Sequence, residues 1–157
     1  MTFKIKTGYR LNVAMIVLNK ENKSLFCKRR NTDNWQFPQG GVDEDETIES
    51  AMFRELNEEV GLNEENVEIK AVSQNLIYYD IPKNIRSRVL GGQFKGQAQK
   101  YFLLKLISGE IDLNRENTPE FDKYTWVPFW YPLNQVVDFK KEAYRNALIE
   151  FKNQISK

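Results

Sequence analysis

The chain has 157 residues, 41% hydrophobic and 29% charged, with a formal net charge of +1. That length supports one domain with a buried core, and the balanced charge leaves any phosphate or nucleic-acid contact to local basic clusters. There is no histidine and one cysteine, Cys27, which excludes a Ser-His-Asp triad, a Cys-His pair, a His-ligated zinc site and an internal disulfide.

The opening segment MTFKIKTGYR lacks the apolar stretch of a signal peptide, and no run approaches the ~20 apolar residues of a membrane span. A cytoplasmic protein with no membrane partner is the expectation. Residues 11–19 (LNVAMIVLN) read as a buried strand, and residues 23–29 pair with it across a turn at Lys20-Glu21-Asn22. A Gly40-Gly41 turn then leads into a helix over 46–60, with Asp43 or Asp45 as cap and Gly61 as terminator. Its apolar residues Ile48, Met52, Leu56 and Val60 recur at i,i+4, and Glu55, Glu58 and Glu59 fall on an adjoining arc at the edge of that face.

Carboxylates at this spacing repel one another, and a cation among them reverses the sign. Without histidine the donors are oxygens, a set that selects Mg²⁺ or Mn²⁺ over zinc. A hydrolytic base must then be a carboxylate, a lysine, a tyrosine or a metal-bound hydroxide.

Further along, residues 67–79 and 97–107 read as strands, 86–96 as a loop, and Trp126-Val127 as a short strand ahead of Pro128. A last amphipathic helix over 140–154 carries Tyr144, Ala147, Leu148 and Phe151, with Ile155 just beyond. No repeat or flexible linker interrupts the chain, so one domain over 1–157 is expected. It is of the α/β class, a mixed sheet with helices on both faces.

Residues 40–62 fill every position of the pattern G-x5-E-x7-R-E-U-x-E-E-x-G-U, where U is aliphatic: Gly40, Glu46, Arg54-Glu55-Leu56, Glu58-Glu59 and Gly61-Leu62. This resembles the Nudix box, the signature of hydrolases that cleave a nucleoside diphosphate linked to another moiety. The resemblance implies an α/β/α Nudix sandwich and an enzyme acting on phosphoanhydride bonds with a divalent cation. It further implies that Glu55, Glu58, Glu59 and the Gly40 carbonyl ligate the metal, that Arg54 orients a glutamate, and that Glu46 supports them.

The likeness continues through Gly8-Tyr9-Arg10-x-Asn12-Val13, Trp35-Gln36-Phe37-Pro38-Gln39-Gly40-Gly41, Gln97-x-Gln99-Lys100-x-Phe102, Thr118-Pro119-Glu120-Phe121-Asp122 and Val136-Val137-x-Phe139-Lys140. These segments resemble one branch of the family, whose members act on 5′-triphosphate ends of single-stranded RNA, leaving a 5′-monophosphate, or on dinucleoside polyphosphates such as diadenosine tetraphosphate. On that resemblance Glu120 completes the metal site, Arg10 and Arg30 hold phosphates, Val137 and Phe139 clamp a base, and Lys140 lies by the phosphates. Tyr79 falls where the dinucleotide-cleaving members carry a tyrosine. The chemistry suits these roles: a guanidinium grips phosphate oxygens in bidentate fashion, and an aromatic face stacks on a base with ~1–3 kcal/mol. A non-catalytic nucleotide-binding module is the remaining alternative.

Overall fold

The structure, a computed structural model, describes residues 4–155; the ends of the domain expected over 1–157, and the start of the N-terminal segment, lie outside the described residues. Its centre is the strand read from the apolar run, β1 (Tyr9–Leu18). Central strands buried on both faces carry continuous apolar sequence, and β1 does so: Val13, Met15 and Val17 enter one core and Ala14, Ile16 and Leu18 the other.

Helix α1 (Ile48–Val60) covers the first face through Met52, Leu56 and Val60. Helix α3 (Lys141–Phe151) covers the second through Tyr144, Ala147, Leu148 and Phe151. Between them lies an eight-stranded mixed sheet. Strand β7 (Gly96–Leu106) runs parallel to β1 from Tyr9↔Gly96 to Leu18↔Lys105, and the other pairings are antiparallel. The α/β/α layering expected from sequence is therefore present. Among the described residues no helix is long and apolar enough to cross a membrane.

Strand β2 (Ser24–Arg29) follows β1 as expected, after a turn in which Asn22 adopts a left-handed backbone, φ 61, a conformation asparagine tolerates better than most residues. The side chain of Asn19 accepts the Glu21 and Lys23 N–H groups and holds this turn closed. Two short strands, β3 (Trp35–Gln36) and β4 (Gln39–Gly41), are additions to the sequence reading. β4 pairs with β1 at Asn12↔Gly41 and Val13↔Gly40, which sets the glycines beside the strand that carries Arg10.

Several boundaries differ from expectation. The cap of α1 is Thr47, whose side chain accepts the Ser50 N–H, whereas neither Asp43 nor Asp45 caps it. The strand expected over 67–79 is two strands, β5 (Val67–Val72) and β6 (Ile77–Asp80). The break falls at Ser73, whose hydroxyl takes the Tyr101 N–H from across the sheet and donates to the Asn75 carbonyl at 3.1 Å, a local side-chain bond that competes with the ladder.

The final sheet strand, β8 (Phe121–Val127), is longer than the Trp126-Val127 pair and joins β2 as an edge. Its middle residues are exposed, so no apolar alternation announces it. A short helix, α2 (Tyr131–Gln135), precedes a 3₁₀ turn at Asp138–Lys140 that delivers the chain to α3.

Candidate active site

Helix α1 carries its acidic residues along the rim of its buried face, and one cation organises them. Arg54 donates from Nε to Glu46 Oε2 at 2.6 Å and from Nη2 to Glu46 Oε1 at 2.7 Å. Its Nη1 reaches Glu55 at 2.8 Å and Glu58 at 3.2 Å, and Nη2 also donates to the Gly41 carbonyl at 3.0 Å. The guanidinium thus ties strand β4 at Gly41 to the helix. Its hydrogen bonds hold the Glu46 carboxyl down at about 2.

Glu59 takes no bond from Arg54, and at Glu55 the Arg54 bond does not offset burial. Glu59 is only 9% exposed and accepts the Gln39 N–H at 3.1 Å. Burial, followed by the nearby Glu55 and Glu120 charges, pushes its carboxyl well up. Burial likewise raises Glu55, with Arg54 opposing it. Glu55 also packs against the main chain at Gly40, where an added Cβ would stand 2.0 Å from the Glu55 Cδ. Only glycine permits that approach.

Glu55, Glu58, Glu59 and Glu120 border a common recess of about 400 Å³. Among the described residues no three carboxylates or other acidic, thiol or imidazole groups converge into a ready cation cage: Glu55 and Glu58 are turned onto Arg54, and Glu59 onto Gln39. The donor chemistry nevertheless fits a hard divalent cation. The side-chain candidates are carboxylates at one recess, burial disfavours the charge on Glu55 and Glu59, and Arg54 takes one oxygen each of Glu55 and Glu58 and leaves the other for ligation.

Strand pairing builds the floor of the adjoining cleft, a cavity of about 780 Å³. Across β1, β7 and β6 the register aligns Arg10 with Gln97 and Tyr79, and Asn12 with Gln99 and Ile77. Residues in one such row share a face of the sheet. Gln99 Nε2 donates to Asn12 Oδ1 at 2.8 Å and Gln39 Oε1 at 3.0 Å, while Tyr101 donates to Gln99 Oε1 at 3.1 Å. This hydrogen-bond chain leaves Asn12 Nδ2, together with Gln97 Oε1, buried on the floor without a partner among the described residues. The Arg10 guanidinium lies over Gly41, where a Cβ would come within 1.9 Å of Nη2.

The opposite wall comes from the turn before α3. Val137 is exposed at the mouth, and the Phe139 ring meets Tyr79 at a centroid distance of 5.7 Å. Lys140 is only 6% exposed, donates to Gln36 Oε1 at 3.2 Å and stands 5.6 Å from the Tyr79 ring centre. Burial, reinforced by the nearby Arg29 charge, lowers its ammonium to about 8.

Of the residues singled out by sequence, Arg10, Gly40, Glu55, Glu59, Tyr79, Glu120, Val137, Phe139 and Lys140 border this cleft. Glu58 borders the acidic recess, and Arg54 acts behind it on the carboxylates. Arg30 is placed elsewhere. It lines a separate concavity with Ile111, Pro119 and Tyr124, and Arg29 occupies the cleft in its place, 3.5 Å from Glu120. The pairing of β2 with β8 shifts register between Lys28 and Arg29, and at a bulge side-chain direction departs from simple alternation. Gln39 and the Asn12–Gln99 pair are functional candidates that the sequence reading did not select. Their only linear signal is polar residues inside otherwise apolar strands.

A NUDIX domain match covers residues 8–151. The chain is 51% identical over 153 residues to the RNA pyrophosphohydrolase of Francisella tularensis subsp. mediasiatica, covering 96% of this chain and 98% of that one. It is 47% identical over 146 residues to the RNA pyrophosphohydrolase of Vibrio atlanticus, covering 92% and 85%. Among solved structures the fold is similar to an E. coli dihydroneopterin triphosphate pyrophosphohydrolase, with a TM-score of 0.70, 22% identity and 90% and 98% coverage. It is also similar to a C. elegans Ap4A hydrolase, with a TM-score of 0.68, 17% identity and 92% and 98% coverage.

Proposed function

The chain belongs to the NUDIX family of hydrolases acting on phosphoanhydride bonds, and on that premise we propose that it is an RNA pyrophosphohydrolase. It converts the 5′-triphosphate end of single-stranded RNA to a 5′-monophosphate, releasing diphosphate or successive orthophosphates. One observation carries the reading: a single cleft joins an acidic rim, Glu55, Glu59 and Glu120, to a cationic and aromatic wall, Arg10, Arg29, Phe139 and Lys140. A polyphosphate attached to a base matches both halves.

NUDIX hydrolases generally need divalent cations, and the oxygen donors here suit Mg²⁺ or Mn²⁺, held by Glu55, Glu58, Glu59, Glu120 and the Gly40 carbonyl. Such an ion supplies Lewis-acid polarisation of a phosphoryl oxygen and a lowered pKa for water. The remaining work falls to side chains. Arg10 and Arg29 bind the phosphate chain with planar donor pairs, and Lys140 adds a point charge beneath it. Phe139 and Val137 hold the first bases by stacking and apolar contact. Arg54 keeps Glu55 and Glu58 oriented.

The deciding experiment compares kcat/KM on defined 5′-triphosphate RNA and on diadenosine tetraphosphate, with analysis of the RNA 5′ ends produced. Preference for RNA, with monophosphate ends, supports the proposal. A hundredfold preference for the dinucleotide overturns it in favour of dinucleoside polyphosphate hydrolysis, and binding without turnover overturns catalysis itself.

A further inference from the structure

The segment over 81–95, between β6 and β7, contributes to one side of the cleft and carries cations without acids. No acidic residue occurs between Asp80 and Glu110, whereas Lys83, Arg86, Arg88 and Lys95 fall within the segment. The whole chain is close to neutral, so this is a local accumulation. Two of these cations have structural work: Arg86 donates to the Ile81 carbonyl at 3.0 Å, and Lys95 sits 5.1 Å from the Tyr9 ring centre. Lys83 and Arg88 are exposed and make no ion pair among the described residues.

The backbone holds this rim in an uncommon shape. Leu90, Gly91 and Gly92 are successive left-handed residues with φ 52, 68 and 73. Glycine takes that conformation freely, but leucine is disfavoured there. Strained backbone retained beside a binding cleft is a reason to look for a role. The turn keeps Arg88 and Leu90 on the cleft border while its tip projects clear, with no atom within 4 Å of a Cβ built on Gly91. The result is an acid-free ledge leading outward from the cleft that contains Phe139.

Resting on the RNA reading above, we infer that this ledge is a track for the phosphodiester backbone downstream of the first nucleotides, with Arg88 and Lys83 as its contacts. A single strand entering with its 5′ end among the carboxylates must leave the cleft over some edge. An edge with unpaired cations attracts the strand, whereas the carboxylate rim repels it. A dinucleotide substrate has no chain to follow the ledge outward, so the contact rewards RNA length without reading sequence.

The test uses the full chain and its Lys83→Ala/Arg88→Ala variant, with 5′-triphosphate RNAs about 2 and about 12 nucleotides long, the latter in the range of single-strand site sizes. Kinetics are followed across a salt series, alongside anisotropy binding of the longer RNA. For the variant, the ratio of kcat/KM on the long RNA to that on the short one should fall about fivefold. The slope of log K against log salt should flatten by about 0.7 per lost phosphate contact.

A ratio and slope equal to wild type overturn the ledge. So does an equal loss on both RNAs, which would mark these residues as serving the 5′ end alone. Failure of the substrate reading looks different: the wild type itself then cleaves neither RNA, and the inference falls with it.

Discussion

Arg54 engages both oxygens of Glu46, at 2.6 and 2.7 Å, and with the rest of the same guanidinium reaches Glu55 and Glu58. Glu46 therefore acts on the candidate site at one remove, by holding the group that aims the others. Glu46→Gln should keep the fold and lower kcat about tenfold, with a smaller change in KM. Arg54→Lys should cost more, because an ammonium cannot reproduce the fork. Steady-state kinetics on triphosphate RNA check both variants; undiminished kcat in Glu46→Gln would remove Glu46 from the positioning chain.

The same pair gives a pH signature. The Glu46 carboxyl is held at about 2, against an ordinary value of 4.5. A depressed carboxyl contributes stability that is fully present above the unfolded value and is lost as pH falls through the folded one. The stability difference between wild type and Glu46→Gln should be full above about pH 4.5, shrink on acidification and disappear near pH 2. Urea midpoints across that window measure it, and a constant difference would show that the pairing carries no linkage.

Two glycines separate function from stability. At Gly40 a Cβ would meet the flexible Glu55 carboxylate, whereas at Gly61 (φ 75) it would strain the backbone and stand 2.8 Å from the Asp112 carbonyl. Gly40→Ala should displace Glu55, lowering kcat by ten- to a hundredfold (about 1.4–2.8 kcal/mol) with little change in Tm. Gly61→Ala should destabilise by about 1–2 kcal/mol and leave kcat close to wild type. Thermal melts paired with kinetics distinguish the two, and the reverse pattern would show that Glu55 tolerates relocation.

Metal removal tests the carboxylate recess. Chelation should abolish turnover and Mg²⁺ or Mn²⁺ should restore it. Glu58→Gln, with its far-ultraviolet circular dichroism unchanged, should lose kcat by on the order of 10²-fold or more. Full activity in Glu58→Gln, or in chelator, would move the chemistry away from this helix.

Lys140 is predicted to trade stability for binding. Its ammonium is lowered from 10.5 to about 8 by burial and by Arg29. Between those values the unfolded chain binds the proton more tightly, so the Lys140 contribution makes the fold more stable as pH rises from about 8 toward 10.5. Lys140→Met should raise stability at pH 7 by about 1–3 kcal/mol, yet raise KM for triphosphate RNA. The wild-type KM should climb above about pH 8, and the variant should lack that inflection. A variant with no gain in stability would indicate that Gln36 fully compensates the buried charge.

The separation between what was legible in the chain and what was not follows the distance over which each feature is defined. The α1 carboxylates, Arg54 and the Gly61 stop lie within one helix and its flank, and helical periodicity converts their spacing directly into geometry; the Gly40-Gly41 turn expected ahead of them is instead part of strand β4, because both glycines pair with β1. The apolar run around Val13–Leu18 likewise announced a strand buried on both faces. Thr47 displaced the aspartates as cap, and Ser73 split a strand, because each hydroxyl found a specific backbone partner that composition does not reveal. The choice of Arg29 over Arg30 depends on a register shift against β8, a strand whose exposed middle leaves no periodic trace.

The chemical character of the site, oxygen donors on an acidic helix in a chain without histidine, was thus written in local spacing. The cleft was not. Its floor exists because parallel pairing brings Arg10 to Gln97 and antiparallel pairing brings Gln97 to Tyr79. Its far wall exists because the turn before α3 folds Phe139 onto that tyrosine. Contacts between residues so far apart in the chain depend on strand order and register, which are set when the two apolar cores close around β1.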